Sequence, residues 1–358
     1  RLSIVDLSSA GRQPMLSGSG RYVIVYNGEI YNFRALQMEL EQAGIAPRWR
    51  GHSDTEVLLA VIEAWGLEQA VSCFIGMFAF ALWDRQKRTL HLVRDRLGIK
   101  PLYYGRSNGT LLFGSELKAL QANPDFKGEI DRDALALFFR YNYIPFPYTI
   151  YKGFHKLEPG TILTLQNTDQ EVHTTKYWDA WEVAEQGTKI PFQGCYDEAT
   201  EELDRLLRDA VSLRMAAEVP LGAFLSGGTD SSTVVALMQA QSPRPVRTFS
   251  IGFHEEGYDE AQYAKAVASH LGTDHTELYV TSEQALEVIP KLPQHYDEPF
   301  SDSSQIPTLL VSELTRRHVT VSLSGDGGDE LFSGYNLYLW SDRIWKIIES
   351  LPNFALQF

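Results

Sequence analysis

Apolar and polar positions alternate over the first half of the chain in short, closely spaced runs. Tyr22-Val-Ile-Val-Tyr26 is β-branched and aromatic and predicts a strand, with a turn signal behind it at Asn27-Gly28. Apolar residues at Phe33, Leu36, Leu40 and Ala43 recur at helical spacing and stop at Gly44. Ser53-Asp54-Thr55-Glu56 before the apolar run 57–65 has the form of a capped helix start. Further strands are predicted over 2–7, 77–83, 89–94, 102–104 and 111–115, a helix over 131–139, and a closing hairpin over 161–165 and 174–178. Strands this close together predict stacked antiparallel sheets with a few helices.

The pattern then changes. Residues 182–195 are polar, with Gly187, Pro191 and Gly194, and read as a linker. Leu203, Leu206, Leu207, Ala210 and Leu213 make 197–214 an amphipathic helix. Predicted strands at 221–225, 246–253, 276–280 and 319–323 alternate with helices at 231–241, 260–271, 283–289 and 306–317. Such alternation predicts a parallel sheet covered on both faces. The expected fold class is therefore two-domain, α+β followed by α/β, with boundaries at 1–185 and 195–358.

Charge narrows the function. Among the 358 residues, 46 acidic against 32 basic side chains give a net charge of −14, without the basic excess of a nucleic-acid binder. Apolar runs such as 74–83 are too short to span a membrane, and no basic-then-apolar leader is read. The only cysteines, Cys73 and Cys195, make no disulfide scaffold and point to a reducing, cytoplasmic setting. Both read as structural rather than catalytic. Trp178, Trp181, Trp340 and Trp345 read as core or interface residues. Beginning at Arg1 inside a predicted strand and stopping at Phe358, the chain reads as a fragment at both ends.

The sharpest chemical signal is Leu225-Ser226-Gly227-Gly228-Thr229-Asp230-Ser231-Ser232, after a predicted buried strand and opening a helix. Glycines there let backbone approach a phosphate. The Ser231 and Ser232 hydroxyls and the first helical amides supply anion donors. Asp230 adds a carboxylate through which a hard cation can bridge to phosphate. No Walker A string occurs, and Gly325-Asp326-Gly327 lacks the third glycine of a dinucleotide fingerprint.

Residues 226–232 resemble the pyrophosphate loop of N-type ATP pyrophosphatases. Ser322-Leu-Ser-Gly-Asp326-Gly-Gly-Asp329-Glu-Leu-Phe-Ser-Gly-Tyr335 and Asp297-Glu-Pro-Phe-Ser-Asp-Ser-Ser304 narrow this to the synthetase domain of glutamine-dependent asparagine synthetases. In the first half, Arg1-Leu-Ser-Ile-Val-Asp6, Tyr26-Asn-Gly-Glu-Ile-Tyr-Asn32, Ser53-Asp-Thr-Glu56, Gly76-Met-Phe-Ala-Phe-Ala81 and Arg94-Asp-Arg-Leu-Gly-Ile-Lys-Pro-Leu-Tyr103 resemble, in order, that family's N-terminal-nucleophile glutaminase domain.

The resemblance implies roles. Arg1 would pair the α-carboxylate of glutamine, with Leu2, Ser3, Ile4 and Val5 beside it. Glu29 and Asp54 would hold its ammonium, and the Asn27 side chain with the Gly28 N–H would form the oxyanion hole. Phe224 and Ile251 would meet adenine. Ser226, Gly227, Gly228, Ser231 and Ser232 would hold pyrophosphate, Asp230 and Asp329 would ligate Mg²⁺, and Ser324 and Gly325 would touch the nucleotide. Asp326, where many relatives have Glu, would act at the acyl-adenylate. ATP and Mg²⁺ are the implied cofactors. Glutamine and aspartate, or another carboxylic acid, are the implied substrates, and the resemblance leaves room for a homodimer.

The implied activity is an ATP-dependent amide-forming ligase acting through β-aspartyl-AMP. The family's nucleophilic cysteine would precede Arg1, so these 358 residues alone are expected not to hydrolyse glutamine. A further family phosphate-binding lysine would lie beyond Phe358. Alternatives are a relative with another acceptor, such as a polysaccharide-locus acid, a β-lactam-synthetase-like ligase, and a non-catalytic relative.

Overall fold

A computed structural model describes residues 4–166, 172–254 and 259–349. Along the first half run β1 (Met15–Leu16), β2 (Tyr22–Ile30), α1 (Phe33–Gln42), α2 (Asp54–Trp65), α3 (Leu67–Cys73), β3 (Gly76–Asp84), β4 (Thr89–Arg94), β5 (Tyr103–Ser107), β6 (Thr110–Gly114), α4 (Leu117–Gln121), α5 (Arg132–Tyr141), β7 (Phe154–Lys156), β8 (Thr161–Leu165), β9 (His173–Lys176) and α6 (Ala180–Lys189). The second half carries α7 (Tyr196–Arg214), β10 (Leu221–Phe224), α8 (Thr229–Gln241), β11 (Arg247–Phe253), α9 (Ala261–Leu271), β12 (Asp274–Val280), α10 (Ser282–Val288), α11 (Leu292–His295), α12 (Gln305–Arg316), β13 (Val321–Leu323), α13 (Gly328–Phe332) and α14 (Asn336–Glu349). They form two compact units. One holds residues up to Leu206 together with Leu213–Val219 and Glu283–Ile306; the other holds Leu207–Ser212, Pro220–Ser282 and the chain from Pro307.

The first unit is built on period-two alternation. Six antiparallel strands run in the order β1-β2-β3-β4-β8-β9, and three more in the order β6-β5-β7. In β3, Phe78, Phe80 and Leu82 point to one face, where they pack with α1, α2 and α3 through Leu36, Leu40, Leu58, Ile62 and Val71. Ala79 and Ala81 point to the other, where Leu92, Leu163 and Leu165 meet Tyr104 and Leu111 of the three-stranded sheet. The far face of that sheet packs Leu112 and Phe154 on Leu117, Leu120 and Ala134 of α4 and α5. The result is four layers, helices outside two stacked sheets.

In the second unit the order is β12-β11-β10-β13, all parallel. Phe249 and Ile251 of β11 face Val311 and Leu314 of α12. Gly252, on the opposite face, lies against Ala261 of α9, where an added Cβ would come within 2.9 Å of the alanine methyl. Helices therefore cover both faces. Among the described residues no sheet pairs strands from both halves.

Four expectations fail. Residues 4–7 form no strand, because Asp6 adopts φ 56° and turns its buried carboxylate to the Ser8 and His52 amides, both at 3.0 Å; residues 2 and 3 lie outside the described chain. Asn27-Gly28 is no turn, since β2 runs through it to Ile30. Part of the expected linker is helix α6, capped by the Asp179 carboxylate accepting the Trp181 N–H at 2.8 Å. Trp181, Trp340 and Trp345 are exposed, which removes the core half of their core-or-interface reading.

One buried carboxylate ties the strand ends together. Asp95, 1% exposed, accepts hydrogen bonds from the amides of Phe78 (3.1 Å), Leu97 (3.2 Å), Ile99 (2.9 Å) and Lys100 (2.8 Å). Asp95→Ala orphans these donors, each buried one costing about 1–3 kcal/mol. The variant should lose at least about 3 kcal/mol in urea unfolding, and a parent-like midpoint would contradict this.

Candidate active sites

The first site lies along β2. Tyr22, Ile24, Tyr26 and Ile30 enter the core, so Asn27 and Glu29 share the opposite face. Gly28 stands opposite Phe78. Phe78 gives both its N–H and its C=O to Asp95 on its other side, so the Gly28–Phe78 pair exchanges no ladder bonds. The Gly28 amide must then point off the open edge of β2. Its neighbours on that edge are taken: the Tyr26 N–H by Gln13 (2.7 Å) and the Ile30 N–H by Asp54 (3.0 Å). Gly28 has no such side-chain partner among the described residues. An outward amide flanked by an outward carboxamide is the arrangement an oxyanion hole needs.

Only glycine fits there. Its φ is +149°, and an added Cβ would come within 2.2 Å of the Met77 carbonyl oxygen and 2.5 Å of the Phe78 Cα.

Asp54 opens α2. Ser53 caps the helix by accepting the Glu56 N–H at 3.2 Å, but the Glu56 carboxylate takes the Arg50 and Gly51 amides, so the reciprocal half of the capping box is absent. Asp54 is buried and accepts from the Tyr26 hydroxyl at 2.8 Å; burial raises its pKa against the opposing pull of those hydrogen bonds. Glu29 is half-buried, and desolvation together with the Asp54 charge pushes it up to about 7, against Lys100 and Arg214. Two carboxyls with raised pKa values, side by side, suit a cation.

Arg1, Leu2 and Ser3 lie outside the described residues. The Ile4 carbonyl accepts the Glu218 N–H at 3.1 Å, and Val5 packs on the core. His52 joins Glu218 at 2.6 Å. Cys73 and Cys195 are exposed thiols without a disulfide, not core residues.

The second site lies at the carboxyl ends of the parallel strands. The chain proceeds from β10 to β11 to β12 on one side and returns to β13 on the other, so the sheet reverses between β10 and β13, where open α/β sheets bind ligands. Both glycine-rich loops leave from these two strands. Ser226 Oγ lies 2.9 Å from Ser231 Oγ, and the Gly228 N–H donates to Ser226 Oγ at 3.3 Å. Gly227, at φ +83°, lies against the Tyr263–Ala264 backbone, with 2.7 Å left for a Cβ. The second loop closes on the first: a Cβ at Gly325 would lie 2.8 Å from the Ser231 nitrogen, and one at Gly328 would lie 2.2 Å from Asp230 Oδ2.

Ser232 Oγ is buried with no hydrogen-bond partner. Ser324 Oγ donates to Asp326 at 2.9 Å. Asp329 lies beside Gly334, in the same stretch as Asp326. Among the described residues no three His, Cys, Asp or Glu side chains gather as a preformed metal site. Asp230 lies against Gly328 of the second loop, and Asp329 follows Gly328 in the same loop. Phe224, the last residue of β10, and Ile251, two residues before the end of β11, are half-buried against the α12 cluster.

A glutamine amidotransferase domain family matches residues 1–178, and an asparagine synthase family matches residues 202–357. A putative asparagine synthetase [glutamine-hydrolyzing] 2 of Methanocaldococcus jannaschii is 40% identical over 99% of this chain and 69% of its own length. The chain belongs to the glutamine-hydrolysing asparagine synthetase family. Asparagine synthetase [glutamine-hydrolyzing] 1 of Bacillus subtilis is 38% identical over 94% of this chain, which spans 51% of that relative. An amidase, chyE, of Penicillium rubens is 30% identical, again over 94% of this chain and 51% of its own.

Several pocket residues carry no motif signal. Ser115 accepts a hydrogen bond from Asn27 across 88 residues of sequence, and Gln13 occupies the edge of β2. Pairing across such distances leaves no trace in spacing. Gly28→Ala should destabilise the first unit by roughly 2–4 kcal/mol, the range of a buried backbone clash. Unfolding at the parent midpoint would show that β3 yields.

Proposed function

We propose that the protein is an ATP-dependent amide-forming ligase that takes ammonia from glutamine and delivers it to an acyl-adenylate, β-aspartyl-AMP, giving asparagine, AMP and pyrophosphate. The observation that carries the reading is the closure of the 324–330 loop onto the 226–232 loop at the reversal point of the parallel sheet. A carboxylate is a poor electrophile. Attack of its oxygen on the α-phosphorus of ATP expels pyrophosphate and leaves AMP as a good leaving group.

In this reading Ser226, Gly227, Gly228, Ser231 and Ser232 hold the pyrophosphate, and Phe224, Ile251, Ser324 and Gly325 hold the nucleoside side. Asp230 and Asp329 would hold a Mg²⁺, which would offset phosphate charge. Asp326 takes the proton from ammonia as nitrogen attacks the carbonyl, help worth roughly 10²–10⁴ in rate. In the first site Asn27 and Gly28 stabilise the tetrahedral intermediate, Glu29 and Asp54 take the glutamine ammonium, and the segment from Arg1 to Val5 takes its carboxylate. The fungal relative named an amidase favours, as a second reading, a different acid acceptor on the same chemistry. Two exposed thiols fit a reducing cytoplasm. No described helix is long and apolar enough to cross a membrane.

Paired variants of the intact protein test the two sites separately. Asn27→Ala should cut glutamine hydrolysis by roughly 10²–10³ and spare ammonia-driven pyrophosphate release. Asp230→Asn should abolish aspartate-dependent pyrophosphate release and spare the fold. Unchanged release in Asp230→Asn, or release triggered only by other acids, would sink the phosphate assignment or the acceptor, respectively.

Glu29 adds a pH signature. An ammonium ligand favours its ionised form, so binding below its unliganded pKa of about 7 must expel a proton. Glutamine affinity should be flat from pH 7 up to the range where glutamine's own ammonium loses its proton, and should fall roughly tenfold per unit below pH 7. Titration calorimetry showing no such fall would exclude Glu29 as the ammonium partner.

A further inference from the structure

We propose that Ser115 is the positioning residue for the Asn27 carboxamide, and that Asp297, from the synthetase half of the sequence, holds Ser115 in place. This rests on the reading of Asn27 as an oxyanion donor.

Asn27 Nδ2 donates to Ser115 Oγ at 3.0 Å, between two half-buried side chains. A carboxamide is planar and carries two N–H bonds in fixed relation. Committing one to Ser115 fixes the direction of the other. The Gly28 amide needs no such help, because the strand sets it. Asn27 is the adjustable half of the pair.

Ser115 is itself held from outside. It lies at the corner between β6, ending at Gly114, and α4, starting at Leu117. The first amides of a helix have no partner within it. Here the Asp297 carboxylate accepts the Leu117 N–H at 2.6 Å and the Lys118 N–H at 3.4 Å, with the Lys118 ammonium 3.6 Å away. Lys118 Nζ also donates to the Gln294 and His295 carbonyls at 3.3 and 3.2 Å. The next residue, Glu298, accepts the Ile150 N–H at 2.8 Å and pairs with Lys156 at 2.5 Å. The Ser301 N–H donates to the Asn142 carbonyl at 2.7 Å. The Asp297 and Glu298 side chains are each only 10% exposed.

All these groups belong to the first unit. Yet 294–301 falls within the asparagine synthase match, between β12 and α12, whereas every partner falls within the amidotransferase match. The corner that aims the Asn27 amide is therefore capped by a segment whose chain continues at both ends into the parallel-sheet unit.

The test compares Ser115→Ala, Ser115→Thr, Asp297→Ala, the Ser115→Ala/Asp297→Ala double variant and Asn27→Ala in the intact protein. Glutaminase kcat and KM are read beside ammonia-driven pyrophosphate release. We expect Ser115→Ala to lose about tenfold or more in glutaminase kcat, less than Asn27→Ala, with KM within about twofold. Ammonia-driven release should stay at the parent rate. Ser115→Thr, which keeps the hydroxyl, should recover most of kcat. Asp297→Ala should lose kcat in the same direction, and the double variant should be no worse than Ser115→Ala, because the two act through one amide. Parent-like kcat in Ser115→Ala beside a crippled Asn27→Ala would overturn the positioning role alone. So would a loss in KM only, or no recovery in Ser115→Thr. Additive losses in the double variant would detach Asp297. Parent-like kcat in Asn27→Ala would bring down the oxyanion assignment and this inference with it.

Discussion

The pairing of β2 with β3 is the constraint from which the first unit follows. At Gly28 the two backbones come too close for any side chain. That closeness fixes the register, and with a period of two the register fixes every face. One set of side chains goes to the helical core. The other presents Asn27 and Glu29 together, and Asp54 meets the edge of the strand through Tyr26 and Ile30. A slip of one residue would bury the carboxamide and expose the tyrosines. Core packing and pocket are thus two sides of one strand, which is why the phenylalanines of β3 matter to groups they never touch.

The second unit relies on a different economy. The four parallel strands are covered on both faces, and reversal of strand order leaves room between β10 and β13. The loops that leave there are mostly glycine and serine, so backbone can lie against backbone. Gly325 on Ser231 and Gly328 on Asp230 are contacts that larger residues would prevent. The Ser232 hydroxyl, in the first turn of the helix that follows, is buried without a partner.

Much of this was legible in the sequence because the informative signals are local. Helical spacing marked Phe33 to Ala43, alternation marked 77–83, and the serine–glycine string marked a loop between a strand and a helix. What failed was also local, read without its surroundings. Asn27-Gly28 has the chemistry of a turn, and only the neighbouring strand shows that its glycine serves close approach. Gly187 suggested a linker, but Asp179 supplied a cap strong enough for a helix. Residues 4–7 look extended until Asp6 turns inward. Ser115 and Asp297 were out of reach, since a side chain's meaning there depends on partners 88 and 180 residues away.

The return of 283–306 to the first unit bears on how the protein is made. A chain emerging from the ribosome releases the sheets of this unit long before Asp297 and Glu298. Until they arrive, the Leu117 and Ile150 amides lack their acceptors, Lys156 keeps only the Ile144 carbonyl, and the corner at Ser115 is uncapped. The strands β10 to β12 are synthesised in the interval. Domains usually mature in the order they are translated. Here the corner at Ser115, in the earlier unit, takes its cap from a later stretch of chain, so that cap can be made only after β10 to β12 have been synthesised.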